Sequence, residues 1–315
     1  MEVIEKFSTT HQYFRLKMNS AVLFIVFKRY DTALEVFKCI RAAKPKRLYV
    51  AADAPRDNVK GEAEECRKTR DIIRLVDWDC EVKTLFQDEN QGCGVGPYKA
   101  ISWFFEHEEE GIVLEDDCCP HPDFFQYCEE LLGKYRNDER VTLITGRNNF
   151  KTLETNGASY FLSALHFCWG WASWRRVWEK YDYTLAEISP IAYFKVLLKY
   201  FGWRNLSMVL WRMNIYYFCK KKRPRDIWDY QFCVSTQMGG GHTLVPKHNL
   251  VRNIGNDERA THTSGSVEDV PVMPVLPLCH PQQLHYYVTN DVLLSKGRYK
   301  KWKNVYYFIR NIIGL

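Results

Sequence analysis

The stretch Gly111–Asp117 reads GIVLEDD, a short apolar run followed without a break by three acids. The run Gly111–Leu114 predicts a buried strand, because short apolar runs between polar residues are typical of parallel sheets. Three adjacent carboxylates at a strand end repel one another and are costly to bury without a cation. Hard divalent ions prefer carboxylate oxygens. Glu115, Asp116 and Asp117 therefore indicate a metal site, with a solvated acidic turn as the alternative.

The chain before this stretch alternates between strand and helix patterns. Strand–helix repetition with short breaks predicts an α/β fold, in which a mostly parallel, nucleotide-binding type of sheet is flanked by helices. The predicted strands cover residues 21–27, 47–52 and 80–86, and the predicted helices begin at Asp31 and cover about 60–76 and 98–106.

Polar side chains follow three of these strands: Arg29, Asp53 and the acids 115–117. Ligands in such sheets bind at the carboxyl ends of the strands, so we expect these residues to share one site. Asp53 is also a common turn residue, and that alternative stays open. No G-x-G-x-x-G follows the first strand and no P-loop motif occurs, which disfavours a dehydrogenase and a P-loop ATPase.

Composition limits the partners. The chain has 44 Lys and Arg against 38 Asp and Glu, a net charge of +6, which allows an anionic partner such as a nucleotide diphosphate or an acidic membrane surface. Nucleic-acid-binding motifs are absent, so we expect no nucleic-acid partner. The 11 cysteines and the lack of a signal-peptide pattern in residues 1–19 predict reduced thiols in a cytoplasmic protein. The chain has no run of about 20 apolar residues, so the sequence predicts no membrane span.

The second half is rich in aromatic residues. A strand is predicted at 141–145 and a basic, aromatic helical stretch at about 191–222. Trp169 and Trp171 flank Gly170 on a predicted loop, and these three residues are candidates for substrate binding. Helical spacing would place Trp171, Trp174 and Trp178 on one face, and a buried packing face is the alternative.

Six segments between Val22 and Thr263 carry a family resemblance. They resemble the GT-A glycosyltransferases, and within them bacterial enzymes similar to the eukaryotic N-acetylglucosaminyltransferase I. The resemblance implies a nucleotide-sugar-binding half over residues 1–165, an acceptor-binding and catalytic-base half over 166–270, and a Pro-rich segment with a basic amphipathic tail over 271–315. The segments are VLFIVFKR, VAADAPR, GIVLEDDCCPHPDFF, WGWASWRRVW, IWDYQF and NLVRNIGNDERATHT.

The resemblance also implies residue roles on the donor side. Asp117 would ligate Mn²⁺ or Mg²⁺, while Glu115 and Asp116 would contact the ribose and hold the groups around the metal. Arg29 would lie near the diphosphate or the base, as a bidentate donor suited to phosphate. Asp53 would accept a hydrogen bond from the nucleotide base. His262 would ligate the metal or contact the diphosphate.

On the acceptor side, direct displacement at the anomeric carbon needs a carboxylate that takes the acceptor proton. Asp229 is the candidate base, Asp226 is its competitor, and an exposed acid at a helix start is the alternative for both. We therefore expect an inverting transferase that uses a nucleotide-diphosphate sugar, such as UDP-GlcNAc, and a hydroxyl of a surface glycan, a lipid-linked acceptor or a protein.

Two other functions remain open. A sugar-nucleotide nucleotidyltransferase would need a Gly-rich, basic loop after the first strand, where this chain has Lys28-Arg29-Tyr30. A non-catalytic carbohydrate-binding protein on the same fold is the second. The basic, aromatic tail predicts a peripheral membrane contact at the inner face, with an ordinary amphipathic closing helix as the alternative.

Overall fold

The computed structural model describes residues 18–149, 155–221, 227–255, 270–295 and 301–312. A mixed sheet runs through these residues, and a smaller two-stranded sheet lies beside it. The strands are β1 (Ala21–Val26), β2 (Arg47–Ala52), β3 (Glu81–Phe86), β4 (Glu110–Glu115), β5 (Cys118–Pro120), β6 (Val141–Thr145), β7 (Tyr160–Ser163), β8 (Trp171–Trp174), β9 (His242–Pro246) and β10 (Val251–Asn253).

The large sheet has eight strands in the order β3-β2-β1-β4-β8-β6-β9-β7. Strands β3, β2, β1 and β4 are parallel neighbours, and β9 is parallel to β6. Strand β8 is antiparallel to both β4 and β6, and β7 is antiparallel to β9. The predicted α/β fold with a mostly parallel sheet flanked by helices is therefore confirmed. The small sheet pairs β5 with β10.

Helices connect and cover these strands. Helix α1 shows the pattern clearly, since it buries Ala33, Val36, Phe37 and Ile40 against the sheet. The helices are α1 (Tyr30–Ala43), α2 (Glu62–Arg70), α3 (Gly92–His107), α4 (Asp123–Tyr135), α5 (Arg175–Trp178), α6 (Pro190–Phe201), α7 (Leu206–Lys221), α8 (Asp229–Met238), α9 (Val288–Leu294) and α10 (Lys301–Ile312).

Three predicted helices differ from the observed ones. The helix predicted over 60–76 is α2 followed by a 3₁₀ turn at Asp71–Leu75. Helix α3 starts six residues before the predicted Tyr98. The stretch at 191–222 is two helices, because Gly202 at φ 69° ends α6 in a conformation that a helix cannot continue.

The predicted helical face of tryptophans is wrong. Trp171–Trp174 is the strand β8, and only Arg175–Trp178 is helical. The helical pattern is overridden here because β4 and β6 both pair with this segment along their open edges. Trp171 and Trp174 are nevertheless fully buried, so the packing role that was the alternative describes them.

Two apolar cores hold the fold together. One surrounds the sheet from β3 to β6. The other packs α6, α7 and α8 against β7 and β9, around Tyr193, Met208 and Val234. Strand β8 lies between β4 and β6, so the division expected at residue 165 falls within one continuous sheet. In the described part of the chain, no helix is both long and apolar enough to cross a bilayer.

Candidate functional site

The three acids lie where β4 ends beside β1. Glu115 is the last residue of β4 and pairs in register with Ile25 of β1. One residue later, Asp116 is buried, and its Oδ2 accepts a 3.3 Å hydrogen bond from the backbone N–H of Phe27. The parallel register therefore brings the end of the first strand directly against the acidic triplet, as expected from the sequence.

Arg29 is the cation of this cluster. Its Nη2 donates to Oδ1 of Asp116 at 2.6 Å and to Oδ2 of Asp117 at 2.9 Å. Burial lowers the pKa of Arg29, but the two carboxylates more than offset this, so its pKa is raised overall. Arg29 was predicted near the diphosphate or base; the structure places it on the acids, and the contact with a donor stays a prediction.

Strand β10 brings a glycine against the same acids. The N–H of Ile254 donates to the backbone oxygen of Asp117 at 2.8 Å, which continues the β5–β10 pairing. A Cβ on Gly255 would lie 2.5 Å from Oδ2 of Asp117 and 2.4 Å from Nη1 of Arg29, so no larger residue fits. Gly255 falls in the segment NLVRNIGNDERATHT, yet its contact with residues over 130 positions earlier is not readable from the sequence.

The charges of the cluster fit a divalent cation. Burial, then the neighbouring acids, raises the pKa of Glu115 well above its usual value. Burial also raises the pKa of Asp116 to about 6, although Arg29 opposes this rise. One arginine thus faces three carboxylates, an excess of hard oxygen ligands that Mg²⁺ or Mn²⁺ would balance. The predicted role of Asp117 as the metal ligand stays a prediction.

Side chains alone do not complete a metal centre here. Among the described residues, no group of three or more His, Cys, Asp or Glu side chains has the geometry of a metal site. Oδ2 of Asp117 faces Arg29, and its Oδ1 accepts a 3.4 Å hydrogen bond from the Cys118 thiol. His262, predicted as a metal or diphosphate ligand, lies outside the described residues, as does Asp226.

Asp53 holds the start of α3. Its Oδ1 accepts from the N–H groups of Ala54 and Gln91, both at 2.9 Å, and its Oδ2 accepts from Gly92 at 2.8 Å. A carboxylate at a helix N-terminus is stabilised by the helix dipole and by these orphan donors. Burial raises the pKa of Asp53, and the backbone hydrogen bonds oppose that rise. Its predicted contact with the base stays a prediction.

Asp229 lies at the start of α8, next to Trp228 of the first core. It is the first residue of α8, and its charge is one of the contributions that raise the pKa of Glu115, after burial, Asp117 and Asp116. Burial, and then the carboxylates of Asp229 and Glu115, raise the pKa of the Cys168 thiol. The thiol of Cys168 therefore lies within electrostatic reach of both acids. The charge of Asp229 thus acts on Glu115 although over a hundred residues separate the two in the sequence.

The Trp169–Trp171 segment lines the back of this region. Trp169 is partly buried and stacks on the guanidinium of Arg147, 4.8 Å from its ring centre. Gly170 has φ 64°, and a Cβ there would lie 2.8 Å from the Val251 side chain. Trp171 is fully buried, 5.7 Å from the ring of Trp228. A contact of these residues with a sugar stays a prediction.

Comparisons with known proteins give only distant similarities in structure. No protein-family model and no curated protein matches the chain. One similar structure is the mannosyltransferase PcManGT from Pyrobaculum calidifontis in complex with GDP-Man and Mn²⁺, with 11% identity, 75% of this chain and 74% of that chain covered, and a TM-score of 0.37.

Two further similar structures have other activities. A UDP-glucose pyrophosphorylase complexed with UDP-glucose shares 10% identity, over 75% of this chain and 93% of that chain, with a TM-score of 0.40. The 4-diphosphocytidyl-2C-methyl-D-erythritolsynthase from Anaerococcus prevotii DSM 20548 shares 9% identity, over 51% of this chain and 76% of that chain, with a TM-score of 0.30. At these TM-scores, none of the similarities assigns a reaction to this chain.

Proposed function

We propose that this chain is an inverting glycosyltransferase that moves a sugar from a nucleotide-diphosphate sugar to an acceptor hydroxyl, with Mn²⁺ or Mg²⁺ at Asp117. The observation that carries the proposal is the meeting of two separate carboxylate groups in one region. Asp116 and Asp117, which follow β4, contact Arg29, and Asp229 at the start of α8 lies within electrostatic reach of Glu115. Displacement at a sugar carbon requires such a pair of functions, one for the leaving group and one for the nucleophile.

On the donor side, the residues of this chain bind and orient the diphosphate. Arg29 offers a planar guanidinium that suits phosphate oxygens. Asp116 holds that guanidinium at the end of β1 with a 2.6 Å hydrogen bond. The cation, when bound, would offset the charge on the departing diphosphate. His262 joins this side of the proposal from the family resemblance.

On the acceptor side, Asp229 takes the proton of the attacking hydroxyl. The new bond forms at the anomeric carbon as the bond to the diphosphate breaks, and the proton goes to the Asp229 carboxylate. Its position at the first turn of α8 is supported by both cores, which fix that helix through Phe232 in the first and Val234 in the second. The Trp169–Trp171 segment would shape the sugar pocket between the two sides.

A nucleotidyltransferase is not favoured. Strand β1 ends at Val26 and α1 starts at Tyr30, so only three residues, none of them glycine, connect them. This connection is too short for the Gly-rich loop that would wrap a nucleotide triphosphate.

The finer parts of the proposal come from the sequence resemblance. They are a UDP-sugar donor such as UDP-GlcNAc and an acceptor on a surface glycan, a lipid or a protein. A peripheral membrane contact by the C-terminal helix is included, and the exposed Tyr306, Tyr307 and Ile309 on α10 support it. Co-sedimentation with anionic vesicles, compared with a chain truncated before α10, tests that contact.

A donor screen tests the main proposal. The melting temperature is measured with a panel of nucleotide sugars, in Mn²⁺, Mg²⁺ or EDTA, and each stabilising donor is then assayed for transfer. One donor should stabilise by roughly 3 kcal/mol at a hundredfold excess over its Kd. The effect should vanish in EDTA and in Asp117→Ala.

Asp138→Ala is the matched control, because Asp138 pairs with Arg140 at the turn before β6, away from the acids. Donor binding that is indifferent to EDTA and to Asp117→Ala would refute the metal assignment. Binding of glycans without binding of any nucleotide sugar would instead favour a carbohydrate-binding protein.

A further inference from the structure

Arg212 is a buried cation on α7 whose hydrogen-bond partners are all uncharged. It is only 4% exposed. Its Nη2 donates to the Cys233 thiol at 2.9 Å, to Oε1 of Gln237 at 3.4 Å and to the Tyr193 hydroxyl at 3.5 Å. Within the described residues, no carboxylate forms an ion pair with it. Asp291 is a buried carboxylate within electrostatic reach of Arg212, but it bonds to Ser163, Ala164 and Tyr286 rather than to the guanidinium.

Two further nitrogens of Arg212 make no hydrogen bond to a described residue, and only Nη1 is accessible. Nε is enclosed and has no hydrogen-bond partner. Nη1 makes no hydrogen bond to a described residue and is not fully enclosed. Arginine does not lose its proton in proteins, so burial cannot neutralise it. A buried cation that forms no ion pair and leaves donors unused is costly to keep, and an anion in contact with it would lower that cost.

A small cavity opens beside this guanidinium. It has a volume of about 40 Å³, room for a few water molecules or for one carboxylate or phosphate group. Arg212 and Asp229 both line it, together with His166, Cys168, Trp211 and Cys233. The partly exposed Tyr230 also borders it.

Arg212 is the cation of this cavity. Burial, then Arg212 and His242, lowers the pKa of His166 to about 3, so its ring is neutral and bonds to Thr236 and Thr243. Burial raises the pKa of both the Cys168 and Cys233 thiols, which are therefore also neutral. Arg212 and the Asp229 carboxylate are the two charged side chains among the lining residues.

The two charges are spaced along one helix. Cys233, the partner of Arg212, follows Asp229 by four residues on α8, so the two positions are neighbours on one helix face, about 6 Å apart. A molecule whose hydroxyl meets Asp229 would reach Arg212 about one helical turn further along.

We propose that the acceptor of this enzyme carries an anionic group, a carboxylate or a phosphate, and that Arg212 binds this group while Asp229 receives the hydroxyl. The inference rests on the proposed function, because it names the acceptor class of the same site. It makes Arg212 a specificity-determining residue, since a neutral acceptor would leave the buried guanidinium without an anion.

Binding of three small sugars to the full chain tests this without a transfer assay. The probes are methyl glucuronide for a carboxylate, glucose 1-phosphate for a phosphate and methyl glucoside as the neutral match, each titrated by calorimetry. At least one charged probe should bind at least tenfold more tightly than the neutral one. Arg212→Met should remove this preference while it keeps the melting temperature, because Met fills the space without a buried charge.

Controls separate this inference from the proposed function. Arg176→Met should keep the preference, since Arg176 stacks on Trp174 as Arg212 does on Trp211, but it donates to backbone oxygens elsewhere. The nucleotide sugar should bind Arg212→Met as it binds the native chain. Equal binding of all three probes, or a charge preference that survives Arg212→Met, would overturn the inference, whether or not a nucleotide sugar binds. A preference for one charged probe identifies the anion as carboxylate or phosphate.

Discussion

The Nη2 atom of Arg29 donates a 2.9 Å hydrogen bond to Oδ2 of Asp117. The guanidinium thus covers an oxygen of the residue proposed to hold the cation. The Arg29 guanidinium and the metal ion are both positive, so they compete for the Asp117 carboxylate. An anion that binds both of them would end this competition. A diphosphate supplies that anion, and we therefore expect the metal and the donor to bind better together than separately.

Replacing Arg29 with Met should uncouple the binding of the metal from the binding of the donor. Without the donor, Mn²⁺ should bind roughly tenfold more tightly, while the nucleotide sugar binds less tightly. In EDTA the variant should lose about 3 kcal/mol of unfolding free energy, because the buried acids lose their cation. Calorimetric titration of Mn²⁺ and urea denaturation measure these changes. Arg41→Met, which breaks the exposed pair with Asp77, is the control, and an unchanged Mn²⁺ affinity in Arg29→Met contradicts the competition.

Substitution of Gly255 by Ala should damage the site from the β10 side. The added Cβ would lie within 2.5 Å of both Arg29 and Asp117, so the ion pair must separate. We expect donor binding in Mn²⁺ to weaken at least tenfold. Gly133→Ala is the control, because nothing lies within 4 Å of its added Cβ, and a helical Ala should stabilise the fold slightly. Equal donor affinity in both variants would show that Gly255 has no part in the site.

Asp229→Asn separates binding from transfer. The amide keeps the shape of the side chain but cannot take the proton, so kcat should fall by about 10² to 10⁴. Donor affinity and melting temperature should stay close to those of the native chain. Single-turnover assays beside a donor titration distinguish the two effects. Retained turnover would remove Asp229 as the base.

The amino edge of the sheet provides a stability prediction away from the site. Glu108 accepts from Nε of Arg47 at 2.7 Å and from the Tyr49 hydroxyl at 2.8 Å. Glu108→Ala leaves the buried hydroxyl without an acceptor and should cost about 2 kcal/mol of unfolding free energy, measured by urea denaturation. Donor binding should be unchanged, and a loss of binding at equal folded fraction would mean that the two edges are coupled.

Asp291 makes the stability depend on pH. Burial raises its pKa to about 6, although its carboxylate accepts from Ser163, Ala164 and Tyr286. Between about pH 4 and 6 the folded chain keeps a proton that the unfolded chain loses, so stability falls as pH rises through this range. The loss should be on the order of 2 to 3 kcal/mol. In Asp291→Asn this part of the fall should disappear from urea titrations, and equal slopes in the two chains would contradict the assignment.

Local patterns predicted most of the sheet. The run at 47–52 is a strand with the same bounds, and the register of Ile25 with Glu115 follows from parallel neighbours. The start of α3 was missed because Gly92, Gly94 and Gly96 have low helix propensity. Asp53 satisfies the first N–H groups of that helix from nearly forty residues away, a contact that no local pattern contains.

The site was predictable in its residue types more than in its contacts. Acids at a strand end and a distant Asp229 are visible as motifs, and the structure brings them together. That Arg29 binds the acids, and that Arg212 is buried beside Asp229, depends on how α1 and α7 pack. Such contacts follow from tertiary structure, which single-sequence patterns do not encode.

Strand β8 also constrains how this protein can be recombined. Trp171–Trp174 pairs with β4 on one side and β6 on the other, and both of these strands precede it in the chain. A chimera joined at residue 165 would bring in a foreign strand between two native ones and leave its register unmatched. A junction after Trp178 keeps β8 with its native partners, and β9 is then the foreign strand that must match the register of β6 and β7.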